Sequence, residues 1–578
     1  MPTLPRGTRL ALLAAALLAA AACGGDRSAG GSDKQAAAAE PGGTPVRGGT
    51  AVLVELGDME KPMPLVAQAA FDGDLVDVLY MGLTRSAWRG GRLVYLTSND
   101  NPMALAYHWE YVGADSAAIR YRMRHGLHWS DGAPISAEDV AWTYRMLADT
   151  QVASARQEDV APIDSVVAEN DSTVTFHFRR RYPGMLFASS IPIAPKHVYE
   201  AAGPGGIRTH PSLADPARGL VVSGPFKVGA WRRGESITLV PNPTFTPRPY
   251  LDRVVIRIIP EPTTRLVELR NGTAHFVRGI SFDQVPQIRA ADPGRHWRIE
   301  REEKRFWEYL AYNPSAHPAF ADPRVRRALG MALDVPGIIR ALQMEEFAAP
   351  AGGPYPPILR GVYDPARMRP LAFDSAGAKR LLDESGWTDA DGDGVREKDG
   401  KPLRFTLLTN AGNARRADVV QIVQQQWKRI GVDARLKQEE TTTFLNDVPA
   451  KKYEAALGSW QVALSPDMSI LFRKDSPLNV VGYEDAETER MMDRALAEPT
   501  EERADPLWRG AAERIVQEQP YTWLYFYDQL TAVADRLRGV RVDSYGAYQN
   551  LWEWWIPREM QGASGGTGAA ADTGTGKR

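Results

Sequence analysis

The chain contains a single cysteine, Cys23, in 578 residues. No disulfide can therefore form within it, and the folded state must be stabilised by the burial of apolar groups. Hydrophobic residues make up 44% of the sequence. If roughly 530 residues are ordered, as we expect, this content is enough for two or three domains with cores of their own.

The N-terminus has the layout of a secretory signal. Arg6 and Arg9 give it a positive start, residues 10–22 are uncharged, and small residues precede Cys23. The uncharged stretch is too short to span a bilayer. The segment resembles a bacterial lipoprotein signal, whose cysteine is lipidated and becomes the new N-terminus, although Ala20 stands where such signals usually carry Leu. We predict a signal over residues 1–22 and lipid on Cys23; an ordinary cleaved signal and an uncleaved anchor are the alternatives.

Charge and hydropathy limit the remaining classes of partner. The net charge of −2 provides no basic field, so we expect no binding of nucleic acid. Past residue 22 no apolar run approaches the ~20 residues that a membrane span needs, and we expect membrane contact through the lipid alone. Composition predicts a flexible tether over residues 23–46 and a disordered tail over residues 559–578.

Hydrophobic periodicity predicts the main elements. Period-2 alternation at residues 119–123 and 173–178 indicates a strand-rich region, and the spacing of Ser136 and Asp139 between these strands indicates a capped helix. Residues 254–277 are typical of a strand–helix–strand crossover, which makes parallel sheet. From residue 306 to about 530, strand patterns alternate with helix patterns. This alternation predicts an α/β region with a sheet covered on both faces.

A set of short motifs resembles family 5 of the extracellular solute-binding proteins, the peptide- and nickel-binding proteins of ABC importers. The motifs occur in the family's order over roughly residues 48–557. They are residues 128–140 (HWSDGAPISAEDV), 223–226 (SGPF), 240–243 (VPNP), 310–314 (LAYNP), 322–329 (DPRVRRAL) and 479–483 (NVVGY).

The resemblance implies a two-lobed α/β fold of the cluster C type, with mixed sheets, a hinge, and ligand held between the lobes. Hinge strands are expected near residues 305–313 and 521–528. The resulting division of the chain is lobe I over residues 47–75, 212–305 and 529–558, an inserted strand-rich domain over residues 76–211, and lobe II over residues 306–528.

The resemblance also implies candidate ligand contacts. In peptide binders of the family an aspartate three residues after a tryptophan at a strand end pairs with the ligand's α-amino group. Here the tryptophan is Trp460, but the acidic position is Ala463 and the next acid is Asp467. Two roles are open for Trp460: a wall of the ligand cleft or a residue of the core. The other candidates are Tyr355, Arg360, Tyr312 and Asn313; Arg360 could meet a carboxylate, whereas Tyr312 and Asn313 could instead fix a strand end.

Residues 389–395 (DADGDGV) match the first half of an EF-hand loop, with oxygen ligands from Asp389, Asp391, Asp393 and the carbonyl of Val395. Gly400 stands at position 12, where the loop needs a bidentate Glu. A turn without metal and a structural calcium site are both compatible with this pattern. We expect no other cofactor.

We predict a non-enzymatic, monomeric, lipid-anchored receptor at the periplasmic face of a membrane. It would capture peptides, or a related small polar solute or metal chelate, and deliver them to an ABC permease complex. The alternatives are a sensory or chaperone-like peptide-binding lipoprotein and a secreted hydrolase. The sequence offers no recognisable catalytic set for the hydrolase.

Overall fold

The structure is a computed structural model that describes residues 43–291 and 296–561. The predicted signal, Cys23, most of the predicted tether and most of the predicted tail lie outside these residues. The strands are β1 Thr50–Glu55, β2 Arg85–Arg89, β3 Arg92–Leu96, β4 Ala106–Val112, β5 Ala118–Met123, β6 Ile163–Asn170, β7 Thr173–Phe178, β8 Phe226–Arg232, β9 Ser236–Pro241, β10 Arg253–Ile258, β11 Phe276–Ile280, β12 Trp297–Tyr312, β13 Ala348–Pro350, β14 Glu397–Lys398, β15 Lys401–Pro402, β16 Arg404–Asn410, β17 Asp433–Glu439, β18 Ala455–Gln461 and β19 Tyr521–Ala534.

None of the helices in the described ranges combines the length and apolar character that crossing a bilayer requires. The helices are α1 Ala70–Leu79, α2 Ala137–Ala148, α3 Gln157–Val160, α4 Met185–Ala188, α5 Lys196–Tyr199, α6 Gly203–Gly206, α7 Pro211–Ala214, α8 Pro216–Gly219, α9 Pro262–Arg270, α10 Gln284–Ala291, α11 Pro323–Met331, α12 Val335–Ala341, α13 Ser375–Glu384, α14 Ala414–Lys428, α15 Thr441–Asp447, α16 Ser469–Phe472, α17 Ala486–Ala497 and α18 Glu501–Glu518.

One mixed sheet of 11 strands runs through the molecule in the order β17-β16-β18-β12-β19-β11-β1-β10-β9-β8, and β13 pairs with β19. The predicted crossover is present: β10 and β11 are both parallel to β1. They are not neighbours, however, because β1 lies between them. This long-range pairing has no local signal in the sequence.

The two central strands exchange partners in the middle of the sheet. Residues 297–302 of β12 pair with residues 529–534 of β19, whose other edge pairs with β11. After a register shift between Glu302 and Phe306, residues 306–312 pair with β18 as well as β19. We call the part of the sheet with β1 and β8 to β11 lobe I, and the part with β16 to β18 lobe II. Only β12 and β19 of the strands described here run through both lobes.

The sheet of lobe II is covered on both faces, as predicted. Leu310 and Leu457 belong to one apolar cluster, which includes Trp427 of α14. The alternate positions Tyr309 and Ala456 belong to a second cluster, which α18 covers. Since successive side chains of a strand point to opposite faces, this division shows two buried faces.

A separate sheet, in the order β4-β5-β7-β6, lies in the predicted inserted region. Its strands confirm the alternation seen in the sequence. The predicted capping box at the start of α2 is present, since the Ser136 amide donates to Asp139 Oδ2 at 2.9 Å. Tyr121 of this sheet shares an apolar cluster with Ile256 of lobe I. The inserted region and lobe I therefore share a core, and the boundaries at 76 and 211 stay predictions.

Candidate functional site

Trp460 lies at the end of β18, beside the place where the lobes join. It pairs in register with Trp307 of β12, and its ring stacks on Tyr309 with centroids 5.9 Å apart. The side chain is half-buried, so one part packs on the core and another faces outward. This position is compatible with a wall of the cleft. Ala463, three residues on, is exposed.

Tyr355 and Asp467 have partners within the loop that follows β18. The Tyr355 side chain is buried, and its hydroxyl donates to the carbonyl of Pro466 at 2.6 Å. Asp467 Oδ1 accepts from the amide of Ser469, the first residue of the short helix α16, at 2.8 Å. These contacts hold the loop against lobe II. The assignment of Tyr355 as a ligand contact stays a prediction.

Tyr312 and Asn313 are buried at the other end of lobe II's central strands. The Tyr312 hydroxyl lies 2.8 Å from Thr522 Oγ1. Asn313 Nδ2 donates to the carbonyls of Lys451 and Tyr453, each at 2.8 Å. The amide thus fixes a strand end, which was one of the two roles expected for it. Ligand contact by either residue stays a prediction.

The hairpin formed by β2 and β3 reaches from the inserted region to lobe II. Trp88 packs against the apolar cluster on the α18 face of lobe II. At the turn, Gly91 has φ +82°, and a Cβ there would lie 2.5 Å from the Arg360 side chain. Glycine is therefore required both for the backbone and for the close approach. Arg360 itself is exposed, with the hairpin turn lying on its aliphatic part.

Arg92 of the same hairpin lies among three carboxylates of α18. Its Nη1 is 2.9 Å from Glu501 Oε2 and 3.0 Å from Glu502 Oε1, and its Nη2 is 3.4 Å from Asp505 Oδ2. Burial raises the pKa values of Glu501 and Asp505, and the Arg92 guanidinium opposes this rise. The contact joins the inserted region to lobe II.

A charged cluster that the sequence did not reveal lies in lobe II. Glu308 of β12 has no exposed surface. Its carboxylate accepts from Arg415 Nη1 at 2.7 Å and from Arg416 Nε at 2.8 Å. Arg415 also donates to the Tyr525 hydroxyl, and Arg416 to Ser459 Oγ. Two arginines on one acid leave a local charge of +1 beside Ser459.

A second such cluster lies in lobe I, centred on Arg278. Its guanidinium is 2.5 Å from Asp74, 3.2 Å from Glu302 and 3.6 Å from Glu55. Burial raises the pKa of all three carboxyls, and Arg278 counteracts the rise. The Tyr548 hydroxyl also donates to Glu55. Because Glu302 precedes the register shift of β12, the cluster lies where the central strands exchange partners.

The Asp-rich turn brings together a different set of oxygens from the predicted one. Side-chain oxygens of Asp389, Asp391 and Glu397 lie within 4.8 Å of one another. Asp393 is not in this group; its Oδ1 accepts from the amide of Val395 at 2.7 Å. Glu397, at position 9 of the loop, comes close because it begins β14 and accepts from the amide of Ala390.

Comparisons with known proteins agree with the geometry. A model described as bacterial extracellular solute-binding proteins, family 5, middle region, matches residues 102–479, which is more than half of the chain. The oligopeptide-binding protein AppA of Bacillus subtilis is 26% identical over 528 residues, covering 89% of this chain and 93% of AppA. The oligopeptide-binding protein OppA of Lactococcus lactis subsp. cremoris (strain SK11) is 25% identical, covering 75% of this chain and 78% of OppA.

Solved structures have the same fold. AppA from Bacillus subtilis in complex with a nonapeptide has a TM-score of 0.72 at 25% identity, covering 89% of this chain and 100% of that one. NikZ from Campylobacter jejuni in complex with Ni(L-His) has a TM-score of 0.72 at 22% identity, covering 88% and 99%. These neighbours are two-lobed periplasmic binding proteins, which confirms the predicted two-lobed α/β fold with mixed sheets.

Proposed function

Because the chain belongs to the bacterial extracellular solute-binding proteins of family 5, we propose that it captures a peptide between its two lobes and delivers it to the permease of an ABC importer. The observation that carries the proposal is the exchange of partners by β12 and β19 between Glu302 and Phe306. The lobes are joined in the sheet by these two strands, so bending there opens and closes the gap. Ligand contacts made on both sides of the gap then favour the closed form.

Peptides suit such a gap because an extended chain offers regular backbone hydrogen-bonding groups to strand ends and loops. The half-buried Trp460 at the end of β18 is the wall that we expect the ligand to meet. We expect weaker recognition of a free α-amino group than in peptide binders that have an aspartate at the position of Ala463, because Ala463 is apolar and Asp467 accepts a hydrogen bond from Ser469. N-acetylated and free peptides should therefore bind with similar affinity.

The experiment is native mass spectrometry of the purified protein, followed by titration of the ligand that it reveals. A co-purified peptide, and binding of its synthetic copy, supports the proposal. A co-purified metal chelate instead of a peptide would contradict the peptide assignment. The family consists of solute-binding proteins, so we propose no catalytic role.

We further propose that the protein is a monomer attached to the periplasmic face of a membrane by lipid on Cys23. The support is the sequence before Cys23 and the extracellular character of the family. Cys23→Ser should move the protein from the membrane fraction to the supernatant. Unchanged fractionation would contradict lipidation.

We also propose that the turn at residues 389–397 binds calcium as a structural ion. Asp389, Asp391 and Glu397 supply the oxygen ligands that Ca²⁺ prefers, and their proximity supports the proposal. Calcium should raise the melting temperature of the wild type but not that of Asp391→Ala, which lacks the oxygen ligand. A melting temperature that does not change with calcium would leave the segment as a plain turn. Asp399→Asn, at the β14–β15 turn, is the control.

A further inference from the structure

Arg85, the first residue of β2, is a buried arginine with unused hydrogen-bonding groups. The residue is 6% exposed. Its Nε and Nη2 have no hydrogen-bond partner in residues 43–291 and 296–561. Its Nη1 lies 3.5 Å from Asp77 Oδ1, an ion pair that is too long for a good hydrogen bond. Because a buried donor without a partner costs free energy, such a group needs an explanation.

The acids near Arg85 already have partners of their own. Asp77 Oδ2 accepts from Gln549 Nε2 at 3.2 Å. Asp543 Oδ1 accepts from the amides of Tyr545 and Gly546. The charge of Asp543 also interacts with Arg541 and Arg305 as well as with Arg85. The edge of the Arg85 guanidinium formed by Nε and Nη2 is thus left without a hydrogen-bond partner among the described residues.

Arg85 lies at the root of the hairpin that crosses to lobe II. The far end of this hairpin carries Arg92, which contacts α18. Tyr95, on β3, interacts electrostatically with Tyr545 of lobe I and with Glu501 of lobe II. The guanidinium is therefore placed where the inserted region, lobe I and lobe II approach one another.

We infer that Arg85 binds a carboxylate group of the ligand, through Nε and Nη2. The planar edge of a guanidinium matches the two oxygens of a carboxylate, and the resulting pair of charge-assisted hydrogen bonds is favourable in a buried site. This inference rests on the proposed capture of peptides, and it names the chemical group of the peptide that the protein recognises. The carboxylate comes either from the peptide's C-terminus or from an acidic side chain.

The test uses alanine peptides of three, five and nine residues, each as the free acid and as the C-terminal amide, measured by calorimetry. A third form carries a C-terminal amide and one glutamate. The wild type should bind at least one carboxylate-bearing form tenfold or more tightly than the plain amide. Preference for the free acid identifies the C-terminus, and preference for the glutamate peptide identifies a side chain.

Arg85→Gln should abolish this preference, and Arg85→Lys should restore part of it, because lysine keeps the charge but not the planar edge. Arg89→Gln, an exposed arginine of the same strand, should keep the preference. Equal binding of acid and amide forms by the wild type, or a preference that survives in Arg85→Gln, overturns the inference while leaving peptide capture intact. Binding of none of the peptides overturns peptide capture and this inference with it.

Stability without ligand separates a binding role from a structural one. If Arg85 serves the ligand, Arg85→Gln should leave the melting temperature unchanged or raise it, since a buried charge without hydrogen bonds is removed. A clear fall in melting temperature together with an unchanged preference for the carboxylate-bearing peptides would show that Arg85 is only structural and would overturn the inference.

Discussion

Arg92→Ala tests whether the hairpin contact with α18 stabilises the closed form. Exposed ion pairs contribute about 0.2–1 kcal/mol each. The side chains of Arg92, Glu501 and Glu502 are 41%, 42% and 71% exposed, so these two pairs belong in the lower half of that range. Asp505 is only 10% exposed but lies at the longest distance, 3.4 Å. Together the three contacts should contribute about 1–2 kcal/mol.

This free energy should be seen in the balance between open and closed forms. Because 1.4 kcal/mol corresponds to a factor of ten in an equilibrium constant, Arg92→Ala should weaken ligand affinity by about 5- to 30-fold. Titration calorimetry measures this loss, and small-angle scattering should show a larger radius of gyration at subsaturating ligand. Added salt should lower the ligand affinity of the wild type toward that of Arg92→Ala, because salt screens these exposed ion pairs.

Arg89→Ala is the matched control for this experiment. Arg89 lies opposite Arg92 in the register of the hairpin and is exposed. Its removal changes the charge of the hairpin equally but breaks none of the contacts with α18 described above. If Arg92→Ala binds as tightly as the wild type, or if Arg89→Ala weakens binding as much, the reasoning is refuted.

Two further predictions concern stability. Glu308→Gln leaves Arg415 and Arg416 without their common counter-ion and should lower the free energy of unfolding, measured in urea, by about 3 kcal/mol. The control Glu300→Gln removes a partly exposed ion pair and should lower the same free energy by less than about 1 kcal/mol. Equal losses in the two variants would contradict the argument that burial makes the Glu308 cluster important. Hydrogen bonds from Arg514 hold the pKa of Asp485 well below its ordinary value of 3.8, so its stabilising effect is present above that value and is lost as the pH falls toward the folded-state pKa. Asp485→Asn should therefore cost up to about 1 kcal/mol at pH 7. Its difference from the wild type should shrink below about pH 4; a constant difference across that range would be inconsistent with this linkage.

Local patterns predicted many individual elements of the fold. The strand at residues 119–123 and the capping box at Ser136 and Asp139 are both present. Each depends on residues close in the chain. The position of β1 between β10 and β11 was not predicted, because the pairing partners are some 200 residues apart and neither strand carries a signal for the other.

The candidate site was only partly predictable for the same reason. Trp460 was found through a motif, but Arg85 and Glu308 were not singled out. Glu308 stands in an aromatic and apolar strand, residues 306–312 (FWEYLAY), and an acid in such a run is a signal that its burial needs a partner. The partners Arg415 and Arg416 are more than 100 residues away. For the calcium turn, the predicted ligand set included Asp389 and Asp391 but not Glu397, which the β14–β15 hairpin brings near.

Phe306 and Tyr527 are paired across β12 and β19, and their rings stack 5.4 Å apart. The whole of lobe II is therefore one uninterrupted stretch of chain that starts and finishes at adjacent positions. The described residues before and after it belong to lobe I and to the inserted region. The two chain connections to lobe II are neighbours in space, so we expect an exchange of this stretch between relatives to need two adjacent junctions and a matching contact between the β2–β3 hairpin and α18.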